Sequence, residues 1–164
     1  MKGQSLLEMV IALGIILAVI STLAIVTLNS MQNSQFSKNQ VQATKLAQDG
    51  IDKVRSIKSR NYTVCGLTPT GKWNDFFTTK SCPTSADCRY IIRTTSACGG
   101  TDPVSLNASG TAEQVTLDGV NFQRTVTIVD FEGVLNRKEV TVAVAWTDIS
   151  GTHNSKLVTV LTLY

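Results

Sequence analysis

The feature that most constrains this chain is a run of about twenty apolar residues close to its start. From Met9 to Leu28 the only polar side chains are Ser21, Thr22 and Thr27, and no charged residue stands between Glu8 and Lys38. At 1.5 Å of rise per residue, about 20 residues make a helix of about 30 Å, the thickness of a bilayer's hydrocarbon core. A helix that is apolar on every side needs lipid or other helices around it. No proline occurs before Pro69, so nothing forces this helix to stop, and it is expected to run on to about Arg60.

Beyond Leu28 the character changes. Phe36, Ala43, Ala47, Gly50, Val54 and Ile57 recur at spacings of three, four or seven, with Leu46 and Ile51 widening the stripe. Lys38, Lys45, Asp49, Asp52, Lys53, Arg55 and Lys58 fill much of the remaining surface. This pattern predicts an amphipathic helix with one face against a core. Asp49 and Lys53 stand at i, i+4 with the acid first, the favourable order. The Asn-, Gln- and Ser-rich stretch from Asn29 to Gln40 is expected to be helical too, as an exposed neck.

The 164 residues carry a net charge of +3, which suits one globular domain with an appended helix and gives no whole-chain signal for nucleic acid. Four cysteines, Cys65, Cys82, Cys88 and Cys98, fall in a stretch rich in Thr, Ser, Gly and Pro. Their spacing lacks the close pairs of a zinc site, and the one histidine, His153, is distant. An even count downstream of a membrane segment points to an oxidising compartment and two bridges. Three pairings are open; neighbours, Cys65 with Cys82 and Cys88 with Cys98, are the weakly preferred pair. Residues 61–112 read as irregular, with one short strand at Arg89–Thr94.

The last fifty residues read as β. Gln114–Leu117 leads into Asp118-Gly119, a favoured two-residue hairpin turn. Val120–Val129, Lys138–Thr147 and Lys156–Leu163 follow, rich in Val, Thr, Ile and Leu. Val140, Val142, Val144 and Trp146 point one way, and Glu139, Thr141, Ala143 and Ala145 the other. Turns at Glu132-Gly133 and Asp148–Gly151 predict an antiparallel meander. Its apolar face needs a cover, and the amphipathic half of the helix is the one large candidate. The expected fold class is α+β, a long N-terminal helix packed by its second half on an antiparallel sheet.

Catalysis and cofactors are not expected. His153 sits in a Gly-Thr-His-Asn stretch that reads as a solvated turn, and there is no G-x-S-x-G, phosphate loop or H-E-x-x-H. Lys53, Arg55, Lys58 and Arg60, with Lys72, Arg89 and Arg93, form a basic set of the kind that contacts DNA phosphates; a solvated helix face with cations at the helix C-terminus is the preferred reading. Trp73, Phe76 and Phe77 are expected as a small core under a bridged loop rather than as an adhesive patch.

Lys2-Gly3-Gln4-Ser5-Leu6-Leu7-Glu8, followed by the apolar helix, resembles the class III signal of type IV prepilins and of type II secretion pseudopilins. In that family a short basic leader ends in Gly, prepilin peptidase cuts after it, and the fifth mature residue is Glu. The resemblance implies cleavage between Gly3 and Gln4 and a pilin-like fold. Residues 1–3 would be the leader, 4–28 the membrane and filament-core helix, 29–60 its amphipathic half, and 61–164 the extracytoplasmic cysteine-bearing region and sheet. It also implies that Glu8 pairs with the terminal amine of a neighbouring subunit. The family's usual first mature residue is an N-methylated Phe, from which Gln4 departs. The stretch from Ala43 to Arg55 and the late VTVAVAWTDISGTHNSKLVTVLTL are similar to minor pilins and I-type minor pseudopilins. Implied partners are prepilin peptidase, other pilin or pseudopilin subunits, an inner-membrane assembly platform and, before assembly, membrane lipid. Gly14 and Ala18 are candidates for close helix approach. A permanently membrane-anchored binding protein is the reading from another class.

Overall fold

The computed structural model describes residues 3–65, 71–75, 88–94 and 102–162, with the backbone alone at residues 3–5 and 135. The chain divides into two compact units, Met1–Lys38 and Asn39–Tyr164. One helix, α1 (Gly3–Ser59), belongs to both. As the absence of proline predicts, it is uninterrupted through the polar stretch from Asn29 to Gln40.

The helix stops by a specific device. Asn61 takes a left-handed conformation (φ 50°), the Asn61 amide donates to the Lys58 carbonyl (3.1 Å), and the Tyr62 amide donates to the Ile57 carbonyl (2.9 Å). This is the Schellman closure, which satisfies carbonyls that the helix leaves open. Asn tolerates the left-handed region better than most side chains because its short amide can bond locally.

Among the described residues, eight strands form one sheet: β1 (Thr63–Cys65), β2 (Gly71–Lys72), β3 (Arg89–Arg93), β4 (Ser105–Ala108), β5 (Glu113–Leu117), β6 (Val120–Phe131), β7 (Val134–Asp148) and β8 (Gly151–Thr162). The order is β2-β1-β4-β3-β6-β7-β8, and β5 also pairs with β6. Every pairing is antiparallel except β1 with β4. The last four strands are the expected meander. The β5–β6 turn has Asp118 and Gly119 at φ 49° and 79°, and the β6–β7 turn has Glu132 and Gly133 at φ 55° and 72°. Two successive positive φ values define the tight hairpin turn whose twist matches the strands, and glycine fits its second position without a steric penalty.

The middle of the chain departs from expectation. It contributes four strands, not one, and β3 enters beside β6 so that the sheet as a whole is not a meander. Periodicity missed β1, β2 and β4 because each has only two to four residues. That is too short for alternation to register.

Within the second unit, α1 covers one sheet face. Ala43, Ala47, Val54 and Ile57 are fully buried, at the spacing the sequence sets out. Opposite them are Phe122, Val126 and Ile128 of β6 and Val140, Val142, Val144 and Trp146 of β7. Each large aliphatic side chain buried this way contributes about 1.5–3 kcal/mol of transfer free energy. Phe36 is the exception to the predicted stripe, being 39% exposed. Trp73 is completely buried and belongs to the main core rather than to a separate cluster; Phe76 and Phe77 lie outside the described residues. Burial pushes the Tyr90 phenol up to about 12.

Candidate assembly site

The first unit contains the apolar helix. Every side chain from Leu6 to Lys38 is exposed, including large aliphatic ones such as Leu7, Ile16 and Leu23. The helix is long and apolar enough to cross a membrane, and is therefore compatible with a single span. Its three hydroxyls do not oppose that. Ser21 donates to the Leu17 carbonyl (2.8 Å), Thr22 to those of Val19 (2.8 Å) and Ala18 (3.2 Å), and Thr27 to that of Leu23 (2.8 Å). Hydrogen bonds back to the preceding turn remove the cost of placing a hydroxyl in an apolar medium. Among the described residues, Glu8 is then the one polar side chain between Leu6 and Leu28 without a hydrogen bond to its own helix. No atom approaches within 4 Å of where a Gly14 side chain would begin. Gly3 and Gln4 lie in the first turn of α1.

The second unit joins helix to sheet through polar contacts as well as the core. The central one is Arg124, on the inner face of β6 and only 3% exposed. Its Nε and Nη2 donate to the two Glu113 carboxylate oxygens (2.9 Å each), an arrangement that matches fork to carboxylate. Its Nη1 donates to Asp49 of the helix (2.7 Å) and to the Leu46 carbonyl (3.3 Å). Burial pulls the guanidinium's pKa down, but Glu113 and Asp49 outweigh it and leave it raised. Burial likewise pushes Asp49 up, and bonds from Lys53 and Arg124 more than offset that, so its carboxyl lies below the usual range.

Three outer contacts fix the helix at its edges. Gln42 donates to Asp118 in the β5–β6 turn (2.8 Å), Thr44 and Ser155 share a hydrogen bond (3.1 Å), and Arg55 donates to Thr159 (3.2 Å). Among the described glycines, Gly50 has the tightest surroundings. A Cβ placed there would meet Val142 Cγ1 at 2.8 Å.

Neutralisation answers much of the basic cluster. Lys53 pairs with Asp49 (2.8 Å), as its spacing predicts, and Arg55 with Asp52 (3.7 Å). Lys72 pairs with Asp102 (2.8 Å). Hydrogen bonds from Lys72 and Thr63 hold the Asp102 carboxyl down at about 2. A duplex would have to compete with these carboxylates for at least three of the cations.

His153 is not a turn residue. It lies in β8, packs on Trp146 (ring centroids 5.3 Å apart) and bonds Asp148 (3.0 Å). Cys65 and Cys88 are buried and disulfide-bonded; Cys82 and Cys98, and with them the expected pairing, lie outside the described residues. Among the described residues no group of His, Cys, Asp and Glu is placed to hold a metal ion. A cleft of about 460 Å³ beside the β5–β6 turn is lined by amides and hydroxyls, among them Asn121, Gln123, Thr147 and Thr152. Its lining contains no carboxylate, imidazole, amine or thiol.

Sequence reasoning missed Arg124 and a second buried charge, Lys138, paired with Asp130. Both carry a visible signal, since each stands in the inward register of a strand beside mostly apolar inward residues. No family model matches the chain, and no curated protein or solved structure does either.

Proposed function

We propose that this chain is a structural subunit, of the minor type, of a type IV pilus-like filament. One observation carries the reading: a continuous helix whose first part is wholly exposed and apolar, bears one carboxylate at Glu8, and continues as the cover of an antiparallel sheet. On this reading the protein is held in the inner membrane by α1 with its sheet unit outside the cytoplasm. Prepilin peptidase removes residues 1–3, and the helix from Gln4 to about Leu28 enters a filament core. Two bridges among Cys65, Cys82, Cys88 and Cys98 close the middle region. The protein is a peptidase substrate, with no catalysis or cofactor of its own.

The electrostatics favour an arrangement of this kind. A carboxylate at mid-bilayer costs about 2.5–3.5 kcal/mol on insertion scales, and less near an interface. Cleavage after Gly3 creates an ammonium on Gln4, one helical turn from Glu8. Between neighbouring subunits the two charges neutralise each other, whereas a helix docked at the wrong height leaves a bare charge in an apolar bundle, at about 3–5 kcal/mol. Glu8 then acts as a register mark.

A minor pseudopilin of a secretion pseudopilus shares every one of these features and differs in the machine served. The test is to express the chain with an active prepilin peptidase and read the mature N-terminus by mass. A chain beginning at Gln4 supports the proposal. A leader left intact, while a control prepilin is cut in the same cells, removes it in favour of a permanently anchored binding protein.

A further inference from the structure

Lys138 is the one completely buried charged side chain among the described residues, and no role above uses it. It is fully buried, and the side chain of its partner Asp130 is 5% exposed. The two stand directly opposite each other on β7 and β6, on the face that carries the core. Lys138 is flanked across the sheet by Leu161 of β8, and the next inward row holds Ile128 and Val140, all buried. An ammonium and a carboxylate are thus held together in an apolar, water-poor place at the β6–β7 hairpin. Both groups are withdrawn from water there.

We infer that Lys138 and Asp130 are the site of an intramolecular amide cross-link. Transfer of one proton within the ion pair gives a neutral amine and a neutral carboxylic acid. The Nζ lone pair attacks Cγ of Asp130 and the N–C bond forms. The C–OH bond then breaks, and the hydroxyl leaves with one amine proton as water. The balance is one ammonium plus one carboxylate giving one amide plus one water, with no oxidant, nucleotide or second enzyme. Two features drive it. Fixed opposition of the reacting groups supplies the high effective concentration of an intramolecular reaction. The apolar surroundings favour release of the water that would reverse it. The product ties β6 to β7 beside the Glu132-Gly133 turn by a bond that reducing agents do not open, unlike the disulfides. This inference is independent of the filament proposal, and either can fail alone.

The test uses the full chain, reduced and denatured after purification. Its amines are acylated and it is then digested with trypsin. The expected result is that the Thr125–Arg137 peptide stays joined to the one beginning at Lys138, with a combined mass about 18 Da below their sum, and that Lys138 takes no label. Lys138→Arg is expected to release the Thr125–Arg137 peptide at its own sequence mass. Separate wild-type peptides with Lys138 fully labelled would reduce the pair to a buried salt bridge and overturn the inference. Should Lys138→Arg not fold, the wild-type peptide masses and label decide alone.

Discussion

Replacing Gly50 with alanine tests the helix–sheet contact at a point of close approach. In an exposed helix this change stabilises by about 1 kcal/mol, because alanine loses less backbone freedom on folding. Here the added methyl would lie 2.8 Å from Val142 Cγ1, 3.4 Å from Val142 Cγ2 and 3.5 Å from Arg124 Cδ. Rotating Val142 does not relieve this, since both of its methyls face the site and a β-branched side chain has few rotamers. Val142 is itself fully buried, opposite Val126 and Leu157 on the neighbouring strands. The helix must lift, and overpacking of this kind costs about 1–3 kcal/mol. With the clash falling on a stiff side chain, the upper half of that range applies, and the net destabilisation after the propensity gain is about 1–2 kcal/mol. For a chain of this size that lowers the melting temperature by about 2–8 °C. The assay is thermal unfolding of the full chain in detergent micelles, followed by tryptophan fluorescence. Both tryptophans, Trp73 and Trp146, are buried in the sheet unit, so the signal reports that unit and not the apolar helix. Gly50→Ala combined with Val142→Ala should be less destabilised than the sum of the two, by about 0.5–3 kcal/mol of coupling. Gly14→Ala, with nothing within 4 Å, should leave the fluorescence melt unchanged. A Gly50→Ala protein that melts at or above the wild-type temperature would refute the close approach.

Three further outcomes are expected. Arg124→Met should destabilise the sheet unit by about 2–3 kcal/mol, below the about 3–5 kcal/mol of a fully buried broken pair, because Asp49 and Glu113 still reach water; a chemical denaturation midpoint equal to wild type would show that the network contributes nothing net. The Asp102 carboxyl is held at about 2 against an ordinary 3.8. Its contribution to stability is therefore full above the ordinary value and lost as pH falls through the window between them. Acid titration of unfolding should show this loss in the wild type and a flatter curve in Asp102→Asn; superimposable curves would count against the Lys72–Asp102 contact. Glu8→Ala should leave export and membrane insertion intact while cutting incorporation into filaments, scored by sheared-filament immunoblot. Incorporation at the wild-type level would contradict the pairing argument.

What was legible in advance divides along physical lines. The helix was readable because its two ends obey different but strong rules, continuous apolarity up to Leu28 and a three-four repeat from Ala43 to Ile57, and no proline breaks the polar stretch between them. Strands β5 to β8 were readable because they are long, alternate cleanly and are joined by turns with their own chemistry. Phe36 was misassigned because a helical repeat says which side of a helix is apolar and not where the partner surface ends. The short strands β1, β2 and β4 give no periodic signal, and β4 is defined by what it pairs with, β1 on one side and β3 on the other. His153 illustrates the same limit. Its neighbours Gly151, Thr152 and Asn154 favour a turn, but the cross-strand pairing of Trp146 with His153 extends the hairpin through them. Arg124 and Lys138 were available to a stricter use of the two-residue period. A charge at an inward position implies a partner of opposite sign, and their partners Glu113, Asp49 and Asp130 are the cost of placing them there.

The two units treat charge in opposite ways, and the contrast bears on the proposed filament. In the sheet unit the buried cations Arg124 and Lys138 are answered by carboxylates of the same chain. In the apolar part of α1 the hydroxyls are answered by their own helix, and the Glu8 carboxylate is not. Lipid tails and leucine-rich helices are about equally apolar, so the aliphatic residues from Leu6 to Leu28 gain little by moving from a bilayer to a bundle. Glu8 gains a great deal if the bundle presents an ammonium and loses if it does not. A single carboxylate then decides between the two environments. On the proposed reading, that choice becomes available only once cleavage after Gly3 has produced the ammonium.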